Sequence, residues 1–372
     1  MVRVGHEFDL DKDNMRQYGR DYLVAMGAAA FPWILATLYF LLVLLPSQSV
    51  GRWDAWRETL LAGRFAAPTS AGVLFAMLAA AGLAATWVYR KARVLAIFDD
   101  IDTVLLMVPL KMLLVGIAWQ LGVVVATMGV LLWVAWRFLH SVRLPATWPW
   151  VMAYAVGLAL ATEAIYRGSK LLDPRVPIHL EVLLPAFVLG CVLVRHRREE
   201  KPSEEKAGTL VSAVFMVLVG LSLPPVLAAA GATNPASYTA SQPFPGWGAL
   251  IFHVLALTVV CNVGKMLPLF MYRKEASLRE RLAVSVAMWP RGEVGAGVII
   301  VSLGYGIGGP VLTVAMLSLA LNLILTGAFI LLVKHLVKPR LVVPWSWTKP
   351  VRYPRRGPAW TGEAYRRTGQ RA

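Results

Sequence analysis

The chain has 372 residues, 58% of them apolar, with a mean hydropathy of +0.60 and a formal net charge of +16. A soluble domain stays near 45–50% apolar, so this composition excludes a water-soluble enzyme, a disordered chain and a disulfide scaffold. Cys191 and Cys261 are the two cysteines, and both lie in apolar runs, as buried thiols do. The basic balance reads as membrane topology and not as a nucleic-acid footprint.

In chain order, apolar runs fall at 22–45, 68–88, 96–116, 119–139, 148–166, 176–195, 208–230, 248–270, 283–304 and 309–335. A spanning helix needs about 20 apolar residues, so the expected fold is an all-α polytopic membrane protein of about ten spans. Placing both termini in the cytosol puts 28 of the 37 Lys and Arg on inside segments and cytosolic helix ends, 6 on outside loops and 3 within spans. The positive-inside rule therefore selects N-in, C-in. The segment 1–21 is polar with no apolar core, so no cleavable signal is expected there. The loop 195–207 reads as a charged cytosolic connection, and the basic, Trp-bearing tail 336–372 as lying along the anionic inner leaflet.

Ionisable groups inside spans are costly and mark function by default. The third span carries Asp99, Asp100 and Asp102 in AIFDDIDT. Adjacent helical residues point about 100° apart, so one of Asp99 and Asp100 is expected to face a polar cavity and the other a neighbouring helix. Lys265, in CNVGKMLPLF, falls at a depth similar to Asp100, which allows a pair between them; a lysine snorkelling to the interface is the alternative. Lys111 reads as snorkelling.

Two spans look broken. AAPTSAGVL holds Pro68, Thr69, Ser70 and Gly72 at the opening of the second, and MWPRGEVGAG holds Pro290, Arg291, Gly292 and Glu293 in the ninth. Helix breakers with polar residues at membrane depth are tolerated where backbone is buried in protein or lines a cavity. The order helix, broken helix, helix recurs at 22–116 and 248–335 in opposite directions, the pattern of an inverted repeat with its site at the breaks.

On these residues the chain resembles the monovalent cation:proton antiporter superfamily, in its bacterial Kef-type and sodium–proton branch. The matching stretches are GHEFDLDKDNMRQYGR at 5–20, TSAGVLFAMLAAAGL at 69–83, AIFDDIDT at 96–103, VFMVLVGLSLPP at 214–225, and the run from Lys265 through PRGEVGAGVII. The resemblance implies an antiporter fold with two broken, crossing helices. Asp100 would be the principal ion-carrying carboxylate with Asp99 beside it, together the ligands of the transported metal cation. Thr69 and Ser70 would be polar ligands on the unwound helix, Lys265 the intramembrane cation, and Arg291 and Glu293 a charged pair at the second break. Asp102 is an extra acid that the family pattern lacks.

The implied layout is a cytosolic segment 1–21, a first core repeat 22–116, a connecting helix and loop 117–147, interface helices 148–230, an outside loop 231–247, a second core repeat 248–335 and the tail. Family members carry about three more helices before the GHEFDL-like segment, so a shortened or split version of that layout is expected.

The function implied is secondary transport in the cell membrane, not enzyme catalysis and without a cofactor. A monovalent cation, Na⁺ foremost with K⁺ or Li⁺ as alternatives, exchanges for H⁺. The partners implied are the lipid bilayer and a second copy in a homodimer if the further helices are supplied, with no nucleic acid. The alternatives are a potassium-efflux pathway on the same fold and an accessory chain needing a partner. An intramembrane aspartyl protease is disfavoured because every buried Asp lies on one helix. GYGIGG at 304–309 reads as a turn, and His253 as a packing residue.

Overall fold

A computed structural model describes residues 2–7, 15–116, 119–145, 147–172, 182–194 and 237–337, together with positions 214, 217, 218 and 221. The chain is mostly helical, and no strand occurs among the described residues. Among the described residues, five helices are long and apolar enough to cross a membrane: Gln17–Leu44, Trp119–Arg137, Trp148–Leu171, Trp247–Met271 and Gly309–Leu336. This is an all-α membrane protein. The expected charged loop 195–207, most of the span 208–230 and the tail from 338 lie outside the described residues.

The first half contains α1 (Val2–Glu7), α2 (Met15–Tyr39, extended by a π turn over Phe40–Leu44), α3 (Trp53–Gly63), α4 (Ala71–Ala80) and α5 (Trp87–Val115). Then come α6 (Trp119–Arg137), α7 (Trp148–Leu172) and α8 (Leu183–Val192). The last part contains α9 (Trp247–Gly264), α10 (Leu267–Met271), α11 (Leu278–Ala287), α12 (Glu293–Gly304) and α13 (Gly309–Leu336).

Five long apolar helices, where ten spans were expected, have physical reasons. Runs 68–88 and 283–304 belong to elements in two pieces, α3 with α4 and α11 with α12, and neither piece is long enough alone. Run 96–116 sits in α5, a 29-residue helix whose acidic stretch and Lys111 make it too charged. Of run 176–195, only the ten-residue α8 is described.

The first break is also displaced from its expected place. It lies between α3 and α4 and not at the opening of a span, because α3 is a real half-helix. Its charges Glu58 and Arg64 are buried with partners, in a stretch that falls between the first two expected spans.

The two largest apolar clusters of the core flank the middle of the long helices α5 and α13. One gathers Phe40, Leu61, Phe65, Leu110, Leu257, Ile299 and Leu312. The other gathers Val24, Leu74, Leu95, Val284, Met288 and Phe329. Along α5, Leu95 and Ala96 belong to the second cluster and Met107 and Leu110 to the first. Asp99, Asp100, Asp102 and Thr103 are buried between them. Asn262 and Lys265 on α9 and Asn322 on α13 fall at the same kind of boundary. The fold therefore holds one polar layer between two apolar ones.

Close helix approach sets that layer. Gly264 lies where an added Cβ would come within 2.7 Å of the Pro32 backbone in α2, so α9 and α2 touch main chain to main chain just beside Lys265.

Candidate functional site: crossed helix breaks and a buried carboxylate pair

The two interrupted elements meet at their breaks. Backbone N–H of Ser70 donates to Pro290 O at 2.9 Å. Gly292 is close enough that a Cβ there would lie 2.9 Å from Ser70 Oγ. Each break leaves carbonyls without intrahelical partners at the end of one half-helix and N–H groups at the start of the next. The first break's carbonyls are taken by cations from the other half of the chain. Lys265 Nζ donates to Ala67 O, and Arg291 Nε donates to Ala66 O at 3.0 Å. A cation at a helix C-terminal end is favoured by the macrodipole as well as by the hydrogen bond.

Lys265 is completely buried, so it does not snorkel. Its ammonium lies 2.6 Å from Asp99 Oδ2 and 3.0 Å from Thr69 Oγ1. The depth argument paired it with Asp100; the pair is with Asp99, one residue and about 100° around α5. Thr69 Oγ1 is 2.8 Å from Asp99 Oδ2 and 3.1 Å from Met288 O, and its single proton serves one of these acceptors. Thr69 thus joins the first break, the acidic helix and the end of α11.

Among the described residues, three carboxylate oxygens are buried with no protein hydrogen-bond partner: Asp99 Oδ1 and both oxygens of Asp100. Asp100 is 7% exposed and Asp99 wholly buried. Of the two expected orientations, Asp99 takes the one toward a neighbouring helix, at Lys265 of α9, and Asp100 has no protein hydrogen-bond partner. A buried carboxylate without partners is energetically costly, and such unsatisfied groups call for a functional explanation.

Arg291 and Glu293, expected as a charged pair, take different partners. Arg291 is buried; Nη1 donates to Asn262 Oδ1 at 2.7 Å, Nη2 to Cys261 O at 2.9 Å, and its backbone N–H to Asn322 Oδ1 at 2.9 Å. Asn322 Nδ2 also donates to Asn262 Oδ1 at 3.1 Å. Arg291 is therefore a staple joining α9, α13 and both breaks. Glu293 instead accepts from Ser70 Oγ at 2.6 Å. It occupies the first turn of α12, where a negative charge complements the helix N-terminus.

The sequence reading missed two buried charges near this layer. Arg64, wholly buried, donates through Nη2 to Asp102 Oδ2 at 3.2 Å and to Asp102 O at 3.0 Å, and its guanidinium lies 4.9 Å from the Trp33 ring centroid. Glu58 accepts from Ser237 Oγ, Tyr238 N, Thr239 N and Thr239 Oγ1 at 2.7–3.1 Å. The signal for Arg64 was present as an arginine just before a helix break, facing an acid that the family pattern does not explain.

A third polar cluster ties the start of α2 and of α5 to the turn after α10. Lys91 Nζ lies 2.7 Å from Asp21 Oδ2 and 3.2 Å from Glu275 Oε2, and Arg20 pairs with Glu275. Tyr272 OH donates to Asp21 at 2.8 Å. Burial raises the Tyr272 phenol above its ordinary range and Asp21 adds to this, so the hydroxyl remains a neutral donor. Elsewhere, His253 is hydrogen-bonded to Tyr39 OH at 2.8 Å, and Glu163 pairs with Arg167 on the surface of α7 at 2.7 Å.

No family model matches this chain, and no curated protein matches it.

Proposed function

We propose that this chain is a secondary active transporter that exchanges a monovalent cation for protons at Asp99 and Asp100, a member of the cation:proton antiporter superfamily that it resembles in sequence. The observation that carries the reading is the set of three partnerless carboxylate oxygens beside a buried lysine, where two interrupted helices cross. Oxygen ligands suit hard cations such as Na⁺. The polar layer also has the charge for one such ion. Asp99, Asp100, Asp102 and Glu293 stand against Arg64, Lys265 and Arg291, which leaves one uncompensated negative charge for a single proton or a single monovalent cation to neutralise.

Exchange then follows from competition. A carboxylate that holds a proton cannot ligate the cation, and two adjacent acids titrate as a pair. Lys265 occupies Asp99 when no cation is bound, and an incoming cation competes with it for that oxygen. Thr69 and Ser70 offer neutral oxygens at the first break. The layout proposed is ten spans with N-in, C-in orientation and two repeats of opposite direction in a multi-pass protein of the cell membrane. It is supported by the recurrence of helix, two-piece helix, helix in α2–α5 and α9–α13 and by the distribution of Lys and Arg.

The test is transport by purified protein in liposomes that carry a pH-sensitive dye. Sodium added to one side should drive proton movement in the wild type, and Asp100→Asn should abolish it while the protein remains folded. Wild-type exchange by the variant refutes the assignment of Asp100.

A further inference from the structure

Asp102 and Arg64 form an ion pair in the same buried layer as Asp99 and Asp100, and neither serves as a ligand in the exchange described above. Asp102 lies three residues after Asp99, which on a helix puts their side chains on neighbouring positions of one face. α5 runs as one α-helix from Trp87 to Val115, so this face is continuous through Asp99 and Asp102. Arg64 opens the short 3-10 turn, Arg64–Ala66, that leads into the first break, three residues before Ala67, whose carbonyl Lys265 takes. Asp102 Oδ2 is its one ionic contact among the described residues, and Arg64 Nε and Nη1 are buried with no protein partner. The guanidinium is thus a fixed positive charge whose counter-ion is Asp102, in the layer that holds the partnerless carboxylates.

We propose that Arg64 and Asp102 are positioning residues that set cation affinity at Asp99 and Asp100 electrostatically, with Asp102 cancelling the field of a guanidinium that the first break must bury. This rests on the transport reading above. Arginine stays protonated in proteins, so removing Asp102 leaves an uncancelled positive charge about one helical turn from the site. At roughly 6–10 Å and an effective dielectric of about 20, such a charge weakens binding of a monovalent cation roughly tenfold to hundredfold. Removing both members restores the original balance.

The experiment is calorimetric titration of Na⁺ into detergent-purified full-length protein at fixed pH, with proton exchange in liposomes run alongside. Asp102→Asn should raise the half-saturating Na⁺ concentration at least tenfold. The double variant Arg64→Gln/Asp102→Asn should return most of the way, and Asp102→Glu, which keeps the charge, should stay nearer the wild type than Asp102→Asn. A pair that matters only for packing gives the reverse order, with the double variant as impaired as the single one or more so. That result, or an unchanged affinity in Asp102→Asn, overturns the proposal. If Asp102→Asn does not fold, the double variant decides: folded protein that binds Na⁺ near the wild-type concentration supports charge balance, and failure of both refutes it. Wild-type protein that binds no cation overturns the transport reading itself, a result separate from a wild type that binds and variants that shift together.

Discussion

Arg291→Met removes the staple at the crossing, and its cost follows from the partners left behind. Methionine fills a similar volume, so the loss is mainly polar. Cys261 O sits in the last turn of α9, where the N–H of Lys265 bonds Asn262 O, so this carbonyl depends on Arg291. Ala66 O, at the end of the first half-helix, accepts from Arg291 Nε. Asn262 Oδ1 keeps Asn322 Nδ2. Two buried carbonyls are therefore orphaned, at about 1–3 kcal/mol each. Relief of the buried cation's own desolvation offsets part of this, for a net loss of about 2–4 kcal/mol. The assay is reversible or scan-rate-controlled thermal unfolding in one detergent, followed by tryptophan fluorescence, with Arg291→Lys for comparison. Lysine reaches fewer of these acceptors in a fork geometry and should recover only part of the loss. An Arg291→Met protein that melts with the wild type would show that these carbonyls are not dependent on the guanidinium, and the account of the crossing would be wrong.

Other outcomes follow from the same geometry. Lys265→Gln leaves Asp99 without its ammonium partner, and breaking a buried pair costs about 3–5 kcal/mol; thermal melting without Na⁺ should fall, and an unchanged melt refutes the pair. Thr69→Ala with Ser70→Ala should raise the half-saturating cation concentration in liposomes more than it lowers the maximal rate; a collapsed rate at unchanged affinity would make both hydroxyls structural. Glu58→Gln replaces an acceptor of four hydrogen bonds with a group that opposes N–H donors, and should cost about 2–4 kcal/mol, read as lost hydrogen-exchange protection at Tyr238 and Thr239. Gly292→Ala places a Cβ within 3 Å of Ser70 Oγ and should slow exchange by forcing the breaks apart; full activity would show that the breaks separate at no cost.

Much of the polar layer was legible because charge in an apolar run has few explanations. Asp99, Asp100, Lys265, Thr69 and the second break stood out on that ground, and the structure gathers them in one layer. What sequence could not resolve was angular. Lys265 at a depth similar to Asp100 pointed to that pair, and only the rotation of α5 gives it Asp99 instead. Arg291 and Glu293 are two residues apart and looked like partners, but the backbone turns at the break and sends one to α9 and α13, the other to Ser70. The half-helix 53–63 went unseen because it is charged and falls between the apolar runs 22–45 and 68–88, and the groups that satisfy Glu58 lie some 180 residues away in the chain. Arg64 was hidden for the same reason.

The central claim is that one buried carboxylate site holds either protons or a cation. Sodium titrated into purified protein, in two buffers of different ionisation enthalpy, counts the protons released on binding. The account predicts release of about one proton per Na⁺ bound by the wild type and none by Asp100→Asn. Sodium binding that releases no proton from the wild type, at any pH where the protein is folded, would contradict it.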